Sequence, residues 1–128
     1  MPQKWYTSET GKPHVPKIKL KVLFYQNESG IEPVRMWLKS LSKEYRQAIG
    51  VDIKTVQLGW PIGMPVVCKI EKYIWEVRTD LKDGIARVLF TTDTGSMILL
   101  HGFIKKTRET PDKEKALARR RLAKLRRG

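Results

Sequence analysis

Two arginines interrupt otherwise strand-like patterns, Arg78 in Trp75-Glu76-Val77-Arg78 and Arg87 in Ile85-Ala86-Arg87-Val88-Leu89-Phe90. A guanidinium is planar and permanently charged, and its fork can grip two phosphate oxygens at once. The same fork can form half of a cross-strand ion pair with Glu76, Asp80 or Asp83. The pattern alone leaves both uses open. Lys105 and Lys106 follow the most apolar run, Met97 to Ile104, so two ammonium groups emerge where that strand leaves the sheet. They can meet a phosphate or simply solvate a strand edge. His101, inside the same run, titrates near neutrality and is either a proton-transfer group or a packed, hydrogen-bonded residue. Trp60 and Trp75 can stack bases or fill a core.

Several other chemistries have no residues to carry them. No Ser/His/Asp order, Walker-type glycine loop or paired-carboxylate motif occurs. Cys68 is the single cysteine, and His14 and His101 stand in no metal-ligand spacing, so neither a metal nor another cofactor is expected. Met1 to Tyr6 lacks a signal-like apolar run, and Met97-Ile98-Leu99-Leu100 is too short to span a bilayer. A cytoplasmic location without a membrane partner is the expectation.

These side chains need a scaffold, and 128 residues at 41% hydrophobic and 30% charged suit one globular domain. Residues 1–17, with three prolines and few aliphatics, read as an N-terminal arm, and residues 18–128 as the domain. Ile18, Leu20, Val22 and Phe24 alternate as in a strand. Val34, Trp37, Leu38 and Leu41 have helical spacing behind Pro33. Ser42 is placed to cap a second helix whose stripe is Tyr45, Ala48, Ile49, Ile53 and Val56, and Gly59-Trp60-Pro61, Gly63 and Pro65 end it. Three β-rich runs follow, Ile70 to Thr79, Ile85 to Thr92 and Met97 to Ile104, separated by Asp83-Gly84 and Asp93-Thr94-Gly95. Thr110 is placed to cap a last helix, with Pro111 in its first turn and Ala118, Leu122 and Leu125 as a thin apolar stripe. The predicted class is α+β, in the order β-α-α-β-β-β-α.

The formal net charge of +13 points to a polyanion, nucleic acid first and an acidic protein second. Residues 105–128 hold eleven lysines and arginines against three acids. Arg119, Arg120 and Arg121, with Arg126 and Arg127, can track an RNA or DNA backbone, form a solvated helix face, or receive an acidic partner.

Trp75-Glu76-Val77-Arg78, Ala86-Arg87-Val88-Leu89-Phe90, and Ile98-Leu99-Leu100-His101-Gly102-Phe103-Ile104-Lys105-Lys106-Thr107 with Thr110-Pro111 behind resemble the RelE/ParE toxin superfamily, most of all its phage-derived HigB-like branch. The resemblance spans about Ile18 to Lys124. It implies a small mixed, mostly antiparallel sheet with a two-helix hairpin packed on it and a basic C-terminal helix. It also implies a toxin of a type II toxin–antitoxin system, neutralised by a cognate antitoxin, of helix-turn-helix character in the expected case, and acting on the ribosome and mRNA. The implied chemistry is a metal-free endoribonuclease reaction, an mRNA interferase step in which a ribose 2′-hydroxyl attacks the adjacent phosphate. By position, Arg87 matches the superfamily's phosphate-facing strand arginine and Lys106 the basic residue after the last strand, which makes both catalytic candidates. RelE places a tyrosine after the basic position, where this chain has only Thr107 and Thr110; HigB-type members use histidine or acidic groups instead, and the resemblance thereby makes His101 the candidate acid/base. Arg78, Lys105, Arg119, Arg120 and Arg121 are the candidate RNA-binding residues. ParE-like members of the same superfamily inhibit DNA gyrase instead, so a gyrase inhibitor, or a non-catalytic basic protein bound by an acidic antitoxin, is the alternative.

Overall fold

The computed structural model describes residues 6–7, 13–14, 19–61 and 67–127. Most of the expected arm, along with Ile18, Gly63 and Pro65, lies outside the described residues. Within the arm, β1 (Tyr6–Thr7) pairs antiparallel with β2 (Pro13–His14). The domain continues as β3 (Lys21–Phe24), α1 (Pro33–Ser40), α2 (Lys43–Gly59), β4 (Val67–Glu71), β5 (Ile74–Leu81), β6 (Gly84–Asp93), β7 (Ser96–Lys105) and α3 (Asp112–Arg127). Its five-stranded sheet has the order β3-β7-β6-β5-β4. Only the β3–β7 pair is parallel, which makes the sheet mixed and mostly antiparallel, as expected.

The run expected as one strand from Ile70 to Thr79 is two strands folded back at Lys72-Tyr73, so the domain reads β-α-α-β-β-β-β-α. The turn carries none of the usual Gly, Asn, Asp or Pro signals, and Tyr73 itself takes the left-handed conformation at φ 69°. A continuous β-rich run therefore concealed a hairpin.

Pro33 opens α1, where its missing N–H costs nothing. Ser42 caps α2, its Oγ accepting from the Tyr45 N–H at 3.2 Å. Val34 of α1 and Ile49, Ile53 and Val56 of α2 pack with Val77, Ala86, Val88, Phe90, Met97 and Leu99 on one face of the sheet. Trp60 and Trp75 belong to that packing, edge to face at a centroid distance of 5.3 Å, with Phe90 beside both. The opposite face is covered by α3, whose Ala118 and Leu122 meet Ile74, Leu89, Ile98, Leu100 and Phe103. Helices on both faces explain why β6 and β7 are nearly continuous apolar runs rather than alternating ones. Thr110 does not cap α3; its hydroxyl donates instead to the Glu76 carboxylate at 2.5 Å.

The α1 face leaves no room at Gly102, where a Cβ would stand 2.4 Å from two carbons of the Trp37 ring. Overpacking of this kind costs about 1–3 kcal/mol. Gly102→Ala is expected to lower stability by that amount in denaturant unfolding, and Gly102→Ala/Trp37→Leu to lose less than the sum of its single changes. Strict additivity would show that Trp37 is not the obstacle.

Candidate functional site

Strand alternation and register gather the charged residues on the α3 side of the sheet. Val77, Ala86 and Val88 face α1 and α2, so Glu76, Arg78 and Arg87 face the other way, with Arg78 directly opposite Arg87 in the β5–β6 ladder. On β7, Phe103 is opposite Arg87 and His101 opposite Leu89, which puts His101 on the same face.

The centre of this face is a buried charge cluster. Glu76 has no exposed surface; its Oε1 accepts from Arg78 Nε at 2.6 Å and its Oε2 from the Thr110 hydroxyl. Arg87 is also wholly buried, with Nε 3.9 Å from Glu76 Oε1 and no hydrogen-bond partner of its own. Its Nη1 donates to the Glu109 carbonyl at 2.8 Å and its Nη2 to the Thr107 carbonyl. Arg78 Nη2 donates to the carbonyl between them, that of Arg108, at 3.2 Å. Burial pulls the Arg87 pKa down and Glu76 opposes the pull; a guanidinium keeps its charge in such a setting.

The arrangement separates the uses the sequence left open. Arg78 pairs with Glu76. Arg87, expected to face phosphate, has its fork closed on two main-chain carbonyls, because the β7–α3 loop lies over it. Both arginines clamp that loop, and the side chains of Lys106, Thr107, Arg108 and Glu109 are exposed while Thr110 turns inward to Glu76. Lys105 and Lys106 are exposed where β7 ends.

Beside the clamp is a cleft of about 590 Å³ whose lining includes four cations, Lys69, Arg78, Arg108 and Lys115, and two carboxylates, Glu109 and Asp112. Only Arg78 among these was singled out from the sequence. Arg108 and Lys115 were visible merely as part of a basic run. Lys69 could have been found only by recognising the β4–β5 turn, which places its strand at the sheet edge.

His101 lies beneath α3 rather than in the cleft. Its Nε2 is 3.2 Å from Glu114 Oε1, its Nδ1 is 3.5 Å from Arg121 Nη1, and its ring stacks on Phe103. Burial lowers its pKa, against the opposing effect of Glu114. The neutral Nε2–H tautomer satisfies both neighbours, donating to Glu114 and accepting from Arg121.

The arginine triplet does not form one patch. Arg119 grips Glu71 with both prongs, at 2.9 and 2.8 Å. Arg121 donates to the Leu100 carbonyl at 2.7 Å and lies over the Tyr25 ring. Arg120 is exposed and borders a different cleft, which Arg121, Tyr25, Asn27 and Lys124 also line. Among the described residues no group of three or more His, Cys, Asp or Glu is placed to hold a metal, and no helix is long and apolar enough to cross a membrane.

Two measurements check this account. Glu76→Gln leaves Arg78 and Arg87 facing each other without a carboxylate, and breaking such a buried pair typically costs about 3–5 kcal/mol; a loss below 1 kcal/mol in urea unfolding would contradict the cluster's role. For His101 the folded pKa is below the unfolded value of about 6.5, so the unfolded chain takes up the proton first. Its stabilising contribution is complete above that value and declines as pH falls below it. The wild type is expected to lose more thermal stability between about pH 7 and pH 5 than His101→Gln, whereas equal losses would exclude His101 as the source.

Residues 36–123, more than two thirds of the chain, match the family described as Phage derived protein Gp49-like (DUF891). No curated protein matches. That family is part of the RelE/HigB-like toxin superfamily, and the β-α-α-β-β-β-β-α domain agrees with a RelE-like fold. The chain belongs to the phage-derived Gp49-like family.

Proposed function

We propose that this chain is the toxin of a type II toxin–antitoxin pair and acts as a ribosome-dependent mRNA endonuclease. The observation that carries the reading is the cleft in which Lys69, Arg78, Arg108 and Lys115 surround space bordered by the Glu109 and Asp112 carboxylates. Phosphodiester cleavage by the neighbouring 2′-hydroxyl needs a proton acceptor, cations around the phosphorane and a proton donor for the leaving oxygen. A Glu109 or Asp112 carboxylate takes the 2′-hydroxyl proton as that oxygen attacks phosphorus. The guanidinium groups of Arg78 and Arg108 hold the non-bridging oxygens as negative charge builds. The P–O5′ bond then breaks, an ammonium group, for which Lys106 on the β7–α3 loop is the candidate, protonates the 5′ oxygen, and a 2′,3′-cyclic phosphate remains.

In this scheme Arg87 and His101 work by position. Arg87 fixes the loop that carries Arg108 and Glu109, and His101 seats α3, which carries Lys115. Lys105, beside Lys106 at the end of β7, adds to the positive field that draws RNA in. The antitoxin of the pair is a protein whose acidic surface covers these cations.

Brief induction in cells followed by mapping of transcript 5′ ends tests the reading in the wild type, Lys106→Ala and Arg108→Ala. Both altered side chains are exposed, so the fold is expected to persist. New in-frame ends that require translation are expected in the wild type, and a drop of about 10²-fold or more where a charge-stabilising donor is lost. Undiminished cutting in both variants would overturn the site. Growth arrest with DNA breakage and no transcript ends would assign the chain to gyrase inhibition instead.

A further inference from the structure

The basic cleft does not end at Lys115. Two contacts join α3 to the β4–β5 hairpin beyond the cleft that Lys115 and Lys69 both line, in matching order along both elements: Arg119 forks onto Glu71, and the Arg126 guanidinium lies 3.9 Å from the centre of the Tyr73 ring. Between Lys115 and Arg126 the helix advances about 16 Å. The cleft thus runs into a seam with Lys69 and Lys72 on its strand side and Lys115, Arg119 and Arg126 on its helix side. Glu71 and Arg119 pair with each other across the seam, so the seam's positive charge toward a ligand comes from Lys69, Lys72, Lys115 and Arg126.

Tyr73 closes the far end. Its side chain is large and apolar, yet the residue is 41% exposed, and it occupies the tip of a hairpin at φ 69°. Asn or Gly would hold that backbone conformation at lower cost. A bulky residue kept in an unfavourable conformation on the surface is a mark of a binding role. Lys72 Nζ lies 5.1 Å from the ring centre, so a second cation is close to it. Lys72 first, then Arg126, hold the Tyr73 phenol below its usual pKa by hydrogen bonding and charge.

We propose that the seam between β4 and α3 is a track for single-stranded RNA continuing out of the cleft, and that Tyr73 stacks on a base at its end. This inference rests on the endonuclease reading above. A cationic groove with an exposed aromatic platform is the arrangement that holds a single strand without regard to sequence, because every base has a π-face. An acidic peptide would use the cations but has no need of the exposed aromatic surface that Tyr73 keeps beside them.

The test measures binding of non-cleavable oligoribonucleotides, with deoxyribose at the scissile position, at low salt. A dinucleotide fills only the cleft, while an octanucleotide also spans the seam. Tyr73→Asn relieves the backbone and is expected to fold at least as stably as the wild type. It is nevertheless expected to bind the octanucleotide about tenfold more weakly, with the dinucleotide unaffected and the salt dependence unchanged. Tyr73→Phe keeps the ring and should keep the affinity. The track is overturned if Tyr73→Asn binds the octanucleotide as tightly as the wild type, if both lengths weaken equally, or if only antitoxin binding is lost. It is overturned as well if the wild type binds neither length; in all of these outcomes translation-dependent transcript ends on induction keep the endonuclease reading, and their absence removes both.

Discussion

A carboxylate without exposed surface, in the middle strands of a sheet, sets much of what surrounds it. Removing Glu76 from water costs several kcal/mol, and only close, well-directed donors offset that cost. Arg78 and Thr110 supply two of them. The second guanidinium, Arg87, is buried as well and must find acceptors of its own, since Glu76 stands 3.9 Å from its Nε. It finds them in the carbonyls of Thr107 and Glu109. With those carbonyls turned inward, the β7–α3 loop is fixed with Arg108 and Glu109 outward. The surface cleft is therefore a consequence of how an internal charge is satisfied.

The last helix has two incompatible tasks, and its sequence divides them by angle. Ala118 and Leu122, with Leu125 beside them, close the second face of the sheet, while ten of the helix's sixteen residues are charged. Successive helical residues are rotated by about 100°, so three adjacent arginines must point in three directions. Arg119 reaches the β4–β5 hairpin, Arg121 turns toward Leu100 and Tyr25, and Arg120 faces a separate cleft. One short basic run thus performs an ion pair, a main-chain hydrogen bond beneath the helix and an exposed charge.

The elements were readable wherever side-chain period and turn chemistry agreed. Val34, Trp37, Leu38 and Leu41 behind Pro33 defined α1, and Ser42 defined the start of α2, because each obeys a local rule. The β4–β5 hairpin escaped because Tyr73 occupies a conformation that normally announces itself through Asn or Gly. With that turn went Lys69, whose relation to the cleft depends on the extra strand. The charged face of the sheet was half legible: alternation places Glu76, Arg78 and Arg87 together, but whether Arg87 meets solvent depends on a loop twenty residues away in sequence, which no local pattern describes. Thr110 shows the same limit, since the rule that makes it a helix cap is local and its actual acceptor, Glu76, is thirty-four residues distant.

A net charge of +13 describes the chain but not the potential that a ligand meets. Arg78, Arg87, Arg119 and Arg121 already spend hydrogen bonds on the fold's own carboxylates and carbonyls. The exposed cations that line the cleft, Lys69 and Arg108, are held on a sheet edge and a clamped loop, and the exposed Lys105-Lys106 pair on a strand end. Their backbone positions are thereby set before any ligand arrives, which reduces the ordering cost of binding to that of the side chains. The buried arginines act on a polyanion chiefly by fixing where the exposed ones stand, and this is why residues with no surface can be as necessary to the site as those that line it.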